Sequence, residues 1–389
     1  MRFATELLAW GRELPSVLAC GVTRGARIAA LLFCCQVHAQ TPAPYGPPPP
    51  PPLPDGYARA LTGEGATRFV TWRPATRAKT LLVLAEDEPP VTKLDRRDLL
   101  EIARARKMGV LFLGSNPQRE VLRKALKEWG QGKRIGVARG AAAEALSDPA
   151  KEKLVDALLL EDAASPPSDA NGPFVVELYG SDAFWREAPR RNHPAPVGPR
   201  QRRFFLAGAA LEPAGGENCA APANRRSIEP ARRALHVALD DYLSGGPAPP
   251  ASREAELAPA KSLEWPKIPG LPTPPADERL APKIDVDGNE TSGLRLPDQA
   301  LPIATFTGWN AAKDASKTAC AGGAEFAFPS TRAAREAAGD SRQSLVERYG
   351  ARSYFVAALR SVASKLVKER LLLLQDADAY VAAGKEAPF

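Results

Sequence analysis

Histidine is scarce, with three residues in 389. Beyond residue 39 only His193 and His236 remain, so a histidine-based catalyst has few places to stand. Cysteine thins in the same way. Cys20, Cys34 and Cys35 fall in the first 39 residues, which leaves Cys219 and Cys320. No CxxC pair and no His/Cys cluster with zinc spacing occurs, so a metal site is not expected. The pentad G-x-S-x-G, which marks a serine nucleophile on a strand-to-helix turn, is absent. The apolar run Ile28 to Val37 is too short to cross a bilayer. Aromatic residues make up 7% and do not interleave with basic ones. A formal charge of +7 is mild for this length, and nucleic acid is not an expected partner. There is no internal repeat, and nothing in the sequence implies a cofactor.

What is present begins with an export signal. Arg24 and Arg27 precede the run "IAALLFCCQV", and "VHAQ" puts Val37 and Ala39 at the small-residue positions of a signal-peptidase site. We expect cleavage near Ala39, a periplasmic or secreted mature chain, and no transmembrane span in it. Two cysteines in an oxidising compartment suggest one disulfide between Cys219 and Cys320. Four regions follow: a signal peptide over 1–39, a polyproline linker over 40–56, an α/β core over 57–246, and a proline-rich, then helical part over 247–389 packed on that core. The linker is extended and solvated by composition.

Within the core, short apolar runs alternate with amphipathic stretches. "TRFVTWRP", "KTLLVLAE" and "VLFLG" (110–114) read as strands, "KRIGVAR" and "DALLLED" as further short apolar runs, and "GPFVVELYG" and "RRFFLAG" as stronger strand candidates. Residues 95–107 and the stretch from Pro117 read as helices. Such alternation predicts a mostly parallel sheet flanked by helices. From Ser227 a capped helix runs to Gly245, and the last 60 residues read as further helices.

Two stretches, "DVDGNETSGLRLPDQALPIATFTGWN" (285–310) and "STRAAREAAGDSRQSLVERYG" (330–350), resemble a family of secreted bacterial alpha/beta hydrolase domain proteins. The helix at 233–253 and the tail "LVKERLLLLQDADAYVAAG" are similar to the same family. The resemblance implies an alpha/beta-hydrolase-like fold with a helical C-terminal extension. The spacing upstream is short for that family, so we expect a truncated sheet. It also implies catalytic residues in the order serine, acid, histidine. In this chain the slots hold other residues. Asn116 stands at the nucleophile, in Gly114-Ser115-Asn116-Pro117-Gln118. Ala183 stands at the acid, in Ser181-Asp182-Ala183-Phe184-Trp185. Leu211 stands at the histidine, in Ala207-Gly208-Ala209-Ala210-Leu211.

The expectation is therefore a degenerate hydrolase-like protein with a binding or structural role. Its partner would be a small molecule or a protein, held where Asn116, Trp185 and Leu211 line the old pocket. The alternative is an active serine esterase with relocated residues, for which Ser115, Asp182 and His193 are the available set. His236, on the 227–244 helix, reads as a packed helix histidine. The arginines at 186, 190, 191, 200, 202 and 203 read as a solvated run or an anion patch.

Overall fold

The computed structural model describes residue 53 and residues 55–389, apart from 88–95, 115–117, 144, 147–152, 165–167, 169, 187–196, 212–216, 315, 317–319 and 321. The proposed signal peptide and most of the linker lie outside the described residues. Eight strands build the main sheet: β1 Tyr57–Thr62, β2 Phe69–Pro74, β3 Thr80–Leu84, β4 Gly109–Phe112, β5 Lys133–Arg139, β6 Ala157–Glu161, β7 Phe174–Gly180 and β8 Gln201–Leu206. Their spatial order is β1-β2-β4-β3-β5-β6-β7-β8. From β4 to β8 every neighbouring pair is parallel, while β2 runs antiparallel to both β1 and β4. The sheet is thus mostly parallel and flanked by helices, as the alternation predicts.

Strand period explains the layers. Side chains alternate between faces, so one strand feeds two cores. On β3, Leu82 and Leu84 face one layer, and Leu81 and Val83 face the other. The first layer is closed by α1 (Arg97–Ala105) through Leu99 and Ala103, and by the helix Glu229–Leu243 through Ala231, Leu235 and Leu239. The second is closed by α2 (Arg119–Trp129) through Val121, Leu122, Ala125 and Leu126, an i, i+1, i+4, i+5 apolar stripe. Helix α2 starts at Arg119 with Gln118 as its cap. The Asn116–Pro117 start expected from sequence lies outside the described residues.

The remaining helices follow in order: α3 Ser181–Arg186, α4 the Glu229–Leu243 helix, α5 Pro297–Ala300, α6 Arg332–Ala338, α7 Leu345–Tyr349, α8 Arg352–Lys368 and α9 Leu374–Lys385. Ala363 and Leu366 of α8, with Leu371 and Leu372, join the same apolar layer as α1 and α4. The helical tail is thus packed on the sheet layer. The proline-rich coil also has a structural task. Arg253 and Leu294 exchange backbone hydrogen bonds with residues 203–207, covering the outer edge of β8. An uncovered edge would offer free N–H and C=O groups to another chain.

Among the described residues no helix is long and apolar enough to cross a membrane. The Cys219 and Cys320 Cα atoms lie 5.1 Å apart, close enough for a disulfide.

Candidate functional site at the carboxyl ends of the strands

In open parallel sheets, ligand sites form outside the carboxyl ends of the strands, where the strand order reverses. Here the reversal falls between β3 and β5. The chain leaves β3 through α1 toward β4 and leaves β5 toward β6.

Charged side chains fill that place. Glu86 follows β3, Arg139 ends β5, and Glu161 ends β6 beside Arg139 in the register. Arg96, at the N-cap of α1, donates from Nη1 to both Glu161 oxygens at 2.7 Å and from Nε to Glu86 at 2.8 and 3.0 Å. Arg232 of α4 grips Asp98 of α1 with two 2.7 Å bonds and reaches Glu161 at 3.4 Å. All of these except Arg139 are fully or nearly fully buried. Burial alone would raise the Glu161 carboxyl. Arg96 and Arg232, with Arg139 behind them, outweigh it and hold Glu161 at about 2. Three carboxylates and three guanidinium groups balance. Sequence reasoning missed this cluster because its members look like ordinary surface charges until helix and strand ends meet.

The turn after β5 is the strand-to-helix turn nearest β6 and β7. It reads Arg139-Gly140-Ala141-Ala142-Ala143, with Gly140 at φ +52°. It offers the left-handed backbone of a nucleophile turn but no hydroxyl or thiol. The sequence-assigned nucleophile slot follows β4 instead. Ser115 and Asn116 lie outside the described residues. Their strand is four places from β7 in the sheet, about 19 Å at the usual strand spacing.

The acid and histidine slots do come together, because β7 and β8 are neighbours. Ser181 N–H donates to Ala209 O at 2.7 Å, and Leu211 N–H donates to Asp182 Oδ1 at 3.0 Å. Ala183, Trp185 and Leu211 are all buried, but in separate clusters. Leu211 packs in the main core, whereas Trp185 packs at a tilt against Trp265 and Trp309. Gly308 lets this happen, since a Cβ there would collide with Ser181 and Trp185.

Glu290, from the "DVDGNE" turn, enters beneath both slots. Ser181 Oγ donates to its Oε1 at 2.5 Å and Gly208 N–H to its Oε2 at 2.6 Å. The carboxyl is fully buried. Burial pushes it up to about 7, against the pull of those two hydrogen bonds and with Asp182 adding to the rise. The turn itself is built by Asp285, whose Oδ1 accepts the N–H groups of Asp287 and Asn289 at 2.9 Å. Among the described residues no group of His, Cys, Asp and Glu is arranged to hold a metal ion.

His236 makes no hydrogen bond to these groups. His193 lies outside the described residues, as do Arg190 and Arg191. His236 sits on α4 between Arg232, which reaches the carboxyl end of β6, and Asp240, which accepts from Thr80 at the start of β3. It is 0% exposed, and neither ring nitrogen has a hydrogen-bond partner. Burial drives it down to about 4, with Arg106 and Arg232 adding to the fall and Asp240 opposing it. Of the basic run, Arg203 pairs with Glu177 at 2.7 Å and Arg200 donates to Tyr242 at 3.0 Å, so these two are built into the fold.

A family model described as alpha/beta hydrolase domain matches residues 185–382. The match takes in Leu211 and Glu290 but begins beyond Ala183 and Asn116. No curated protein matches. Among solved structures, the chain is similar to the zinc-bound form of a cold-adapted esterase from an Arctic intertidal metagenomic library. The identity is 11% and the TM-score 0.23, over 36% of this chain and 76% of the other. It is also similar to XC6422 from Xanthomonas campestris, described as an a/b serine hydrolase without lid. There the identity is 10% and the TM-score 0.26, over 40% of this chain and 86% of that one.

Proposed function

The chain belongs to the alpha/beta hydrolase domain family, and from that premise we propose that it is an exported, catalytically degenerate member acting by binding or as a structural partner. The observation that carries this reading is the ion network. Among the described residues, the crevice at the ends of β3, β5 and β6 holds Glu86, Arg96 and Glu161 in direct contact rather than a nucleophile beside a base. Glu86 also lies in the loop after β3, where a serine hydrolase draws one of its oxyanion donors. A carboxylate there opposes negative charge developing on a substrate oxygen.

The slot residues support the same reading. Ala183 and Leu211 cannot move a proton, and Asn116 is not a nucleophile of this chemistry. In serine hydrolases, losing the nucleophile or the base alone costs about 10⁶ in kcat. In the rival set of Ser115, Asp182 and His193, Asp182 is buried and already accepts the Leu211 N–H. In the exported chain we take Cys219 and Cys320 to be bonded and the first residue to be Gln40.

The test is labelling of the purified mature protein with a fluorophosphonate probe, beside an active esterase as control. We expect no labelling in the parent and none in Asn116→Ser. Labelling of the parent, mapped to any serine, would overturn the reading. The N-terminal residue of protein recovered from the exported fraction checks the cleavage site.

A further inference from the structure

At the opposite, amino-terminal edge of the parallel strands there is a cavity of about 310 Å³. It lies between the loop entering β3 and the turn entering β5, and Arg73, Thr76, Arg77, Trp129 and Gln131 line it. None of its lining side chains is acidic. The Arg73 guanidinium lies over the Trp129 ring, 4.3 Å from its centroid, and donates from Nη2 to the Glu128 carbonyl at 3.0 Å. That fixes the plane of the fork and, among the described residues, leaves its other N–H groups without a partner. Trp129 is held there by the absence of a side chain at Gly109, where a Cβ would collide with the indole ring. Arg77, also exposed, has no hydrogen bond or ion pair among the described residues. Lys79 and Lys133 flank the two arginines, with Lys133 N–H donating to Lys79 O at 2.9 Å. Acidic residues stand close by in the chain: Asp55 precedes Gly56, whose carbonyl accepts the Ala75 N–H at 2.7 Å, Glu128 precedes Trp129, and Asp156 lies 3.6 Å from Lys133.

We propose that this cavity binds the oxyanion group, carboxylate or phosphate, of a small organic molecule. Two forked guanidinium groups, one pre-oriented and one unpaired, match the planar geometry of such an anion. The Thr76 hydroxyl and Gln131 amide supply further donors at the rim. The volume stands at the low end for small-molecule sites, which limits the occupant to a few carbons beyond its anionic group. Both arginines are solvent-exposed, so binding weakens steeply with salt. The inference does not depend on whether the carboxyl ends of the strands are catalytically silent.

The experiment is calorimetric titration of the whole protein with inorganic phosphate and, separately, with succinate, at low and at 0.5 M ionic strength. Saturable binding of at least one probe is expected. Arg77→Gln should weaken it about tenfold, and so should Arg73→Lys, which keeps the charge but loses the fork. Arg360→Gln, the same charge change on an exposed face of α8, is the control and should leave affinity within twofold. Non-saturating binding of both probes, or equal loss in Arg77→Gln and Arg360→Gln, would show only a general attraction of anions to a basic protein and would overturn the proposal. Which probe saturates decides between a phosphorylated and a carboxylic ligand.

Discussion

Arg96 holds Glu161 through a single nitrogen, Nη1, which lies 2.7 Å from each carboxylate oxygen, while Glu86 takes the other side of the guanidinium. The pair joins the end of β6 to the start of α1 across the place where the sheet reverses its order. Both side chains are nearly free of solvent, so each depends on the other, together with Glu86 and Arg232, for compensation of its buried charge.

Removing one partner should therefore cost far more than removing the charges together. Arg96→Met leaves Glu86 and Glu161 buried with less compensation, and we expect a loss of about 3–5 kcal/mol in urea unfolding. Adding Glu86→Gln and Glu161→Gln to that variant should recover part of the loss. No recovery would mean that Arg96 acts by packing alone.

The same network sets an acid limit. Glu161 titrates near 2 in the folded chain and near 4.5 when free of it. A lowered carboxyl stabilises the fold above the free value and loses that contribution as pH falls through the folded one. The parent should thus lose on the order of 3 kcal/mol between pH 5 and 2 from this group. Glu161→Gln should start less stable at pH 7 and show a shallower acid slope. Parallel slopes for the two proteins would exclude Glu161 as the acid-sensitive group.

Glu290 has the opposite sign. Its folded carboxyl titrates near 7, above its ordinary 4.5, so between those values the folded chain holds a proton that the unfolded chain has released. Its contribution falls as pH rises across that window. Glu290→Gln can keep both contacts, accepting from Gly208 and donating to Ser181 Oγ. We expect the variant to gain on the parent by on the order of 2–3 kcal/mol between pH 4.5 and 8, read from urea midpoints. His236, lowered to about 4, acts oppositely, so the contributions of these two groups to the parent's profile should largely cancel between about pH 5 and 6.5. A constant gap between parent and Glu290→Gln would place the buried proton elsewhere.

The cysteines give a further check. Their sequence separation is 101 residues, and a bond would tie the segment after β8 to the coil before the short strand Glu325–Ala327. In the chain-entropy picture a loop of that length is worth about 4–5 kcal/mol. Cys219→Ser should lower the unfolding midpoint under oxidising conditions and have little further effect once reductant is added to both proteins. Two alkylatable thiols in unreduced exported protein would contradict the bond.

Much of the architecture is legible along the chain. The seven apolar runs are all strands, because burial on both faces demands unbroken apolar residues. The strand β1 escaped notice because its side chains are mostly exposed, so neither period nor composition marks it. The coil from 247 onward is proline-rich as read, yet its role as the cover of β8 has no sequence signal, since backbone hydrogen bonds at an edge do not select side chains. The slots at Ala183 and Leu211 meet because adjacent strands bring them together. The bonds from Ser181 and Gly208 to Glu290, 109 and 82 positions downstream of them, are visible only in three dimensions.

The sequence by itself determined the alternating α/β plan, the helical tail and the scarcity of groups able to do acid–base chemistry. These follow from local patterning and composition, which act wherever the residues stand. The strand order was decided by tertiary packing, and with it which turn approaches which. A strand followed by a turn and a helix is the same local object after β4 as after β5. Only the sheet puts β5, with its Gly140 turn, two places from β7 and puts β4 four places away. Likewise Glu86, Arg96, Asp98, Glu161 and Arg232 carry no mark of burial in the chain. Low dielectric and mutual contact turn them from soluble charges into a closed network, and that closure exists only once the strand ends are assembled.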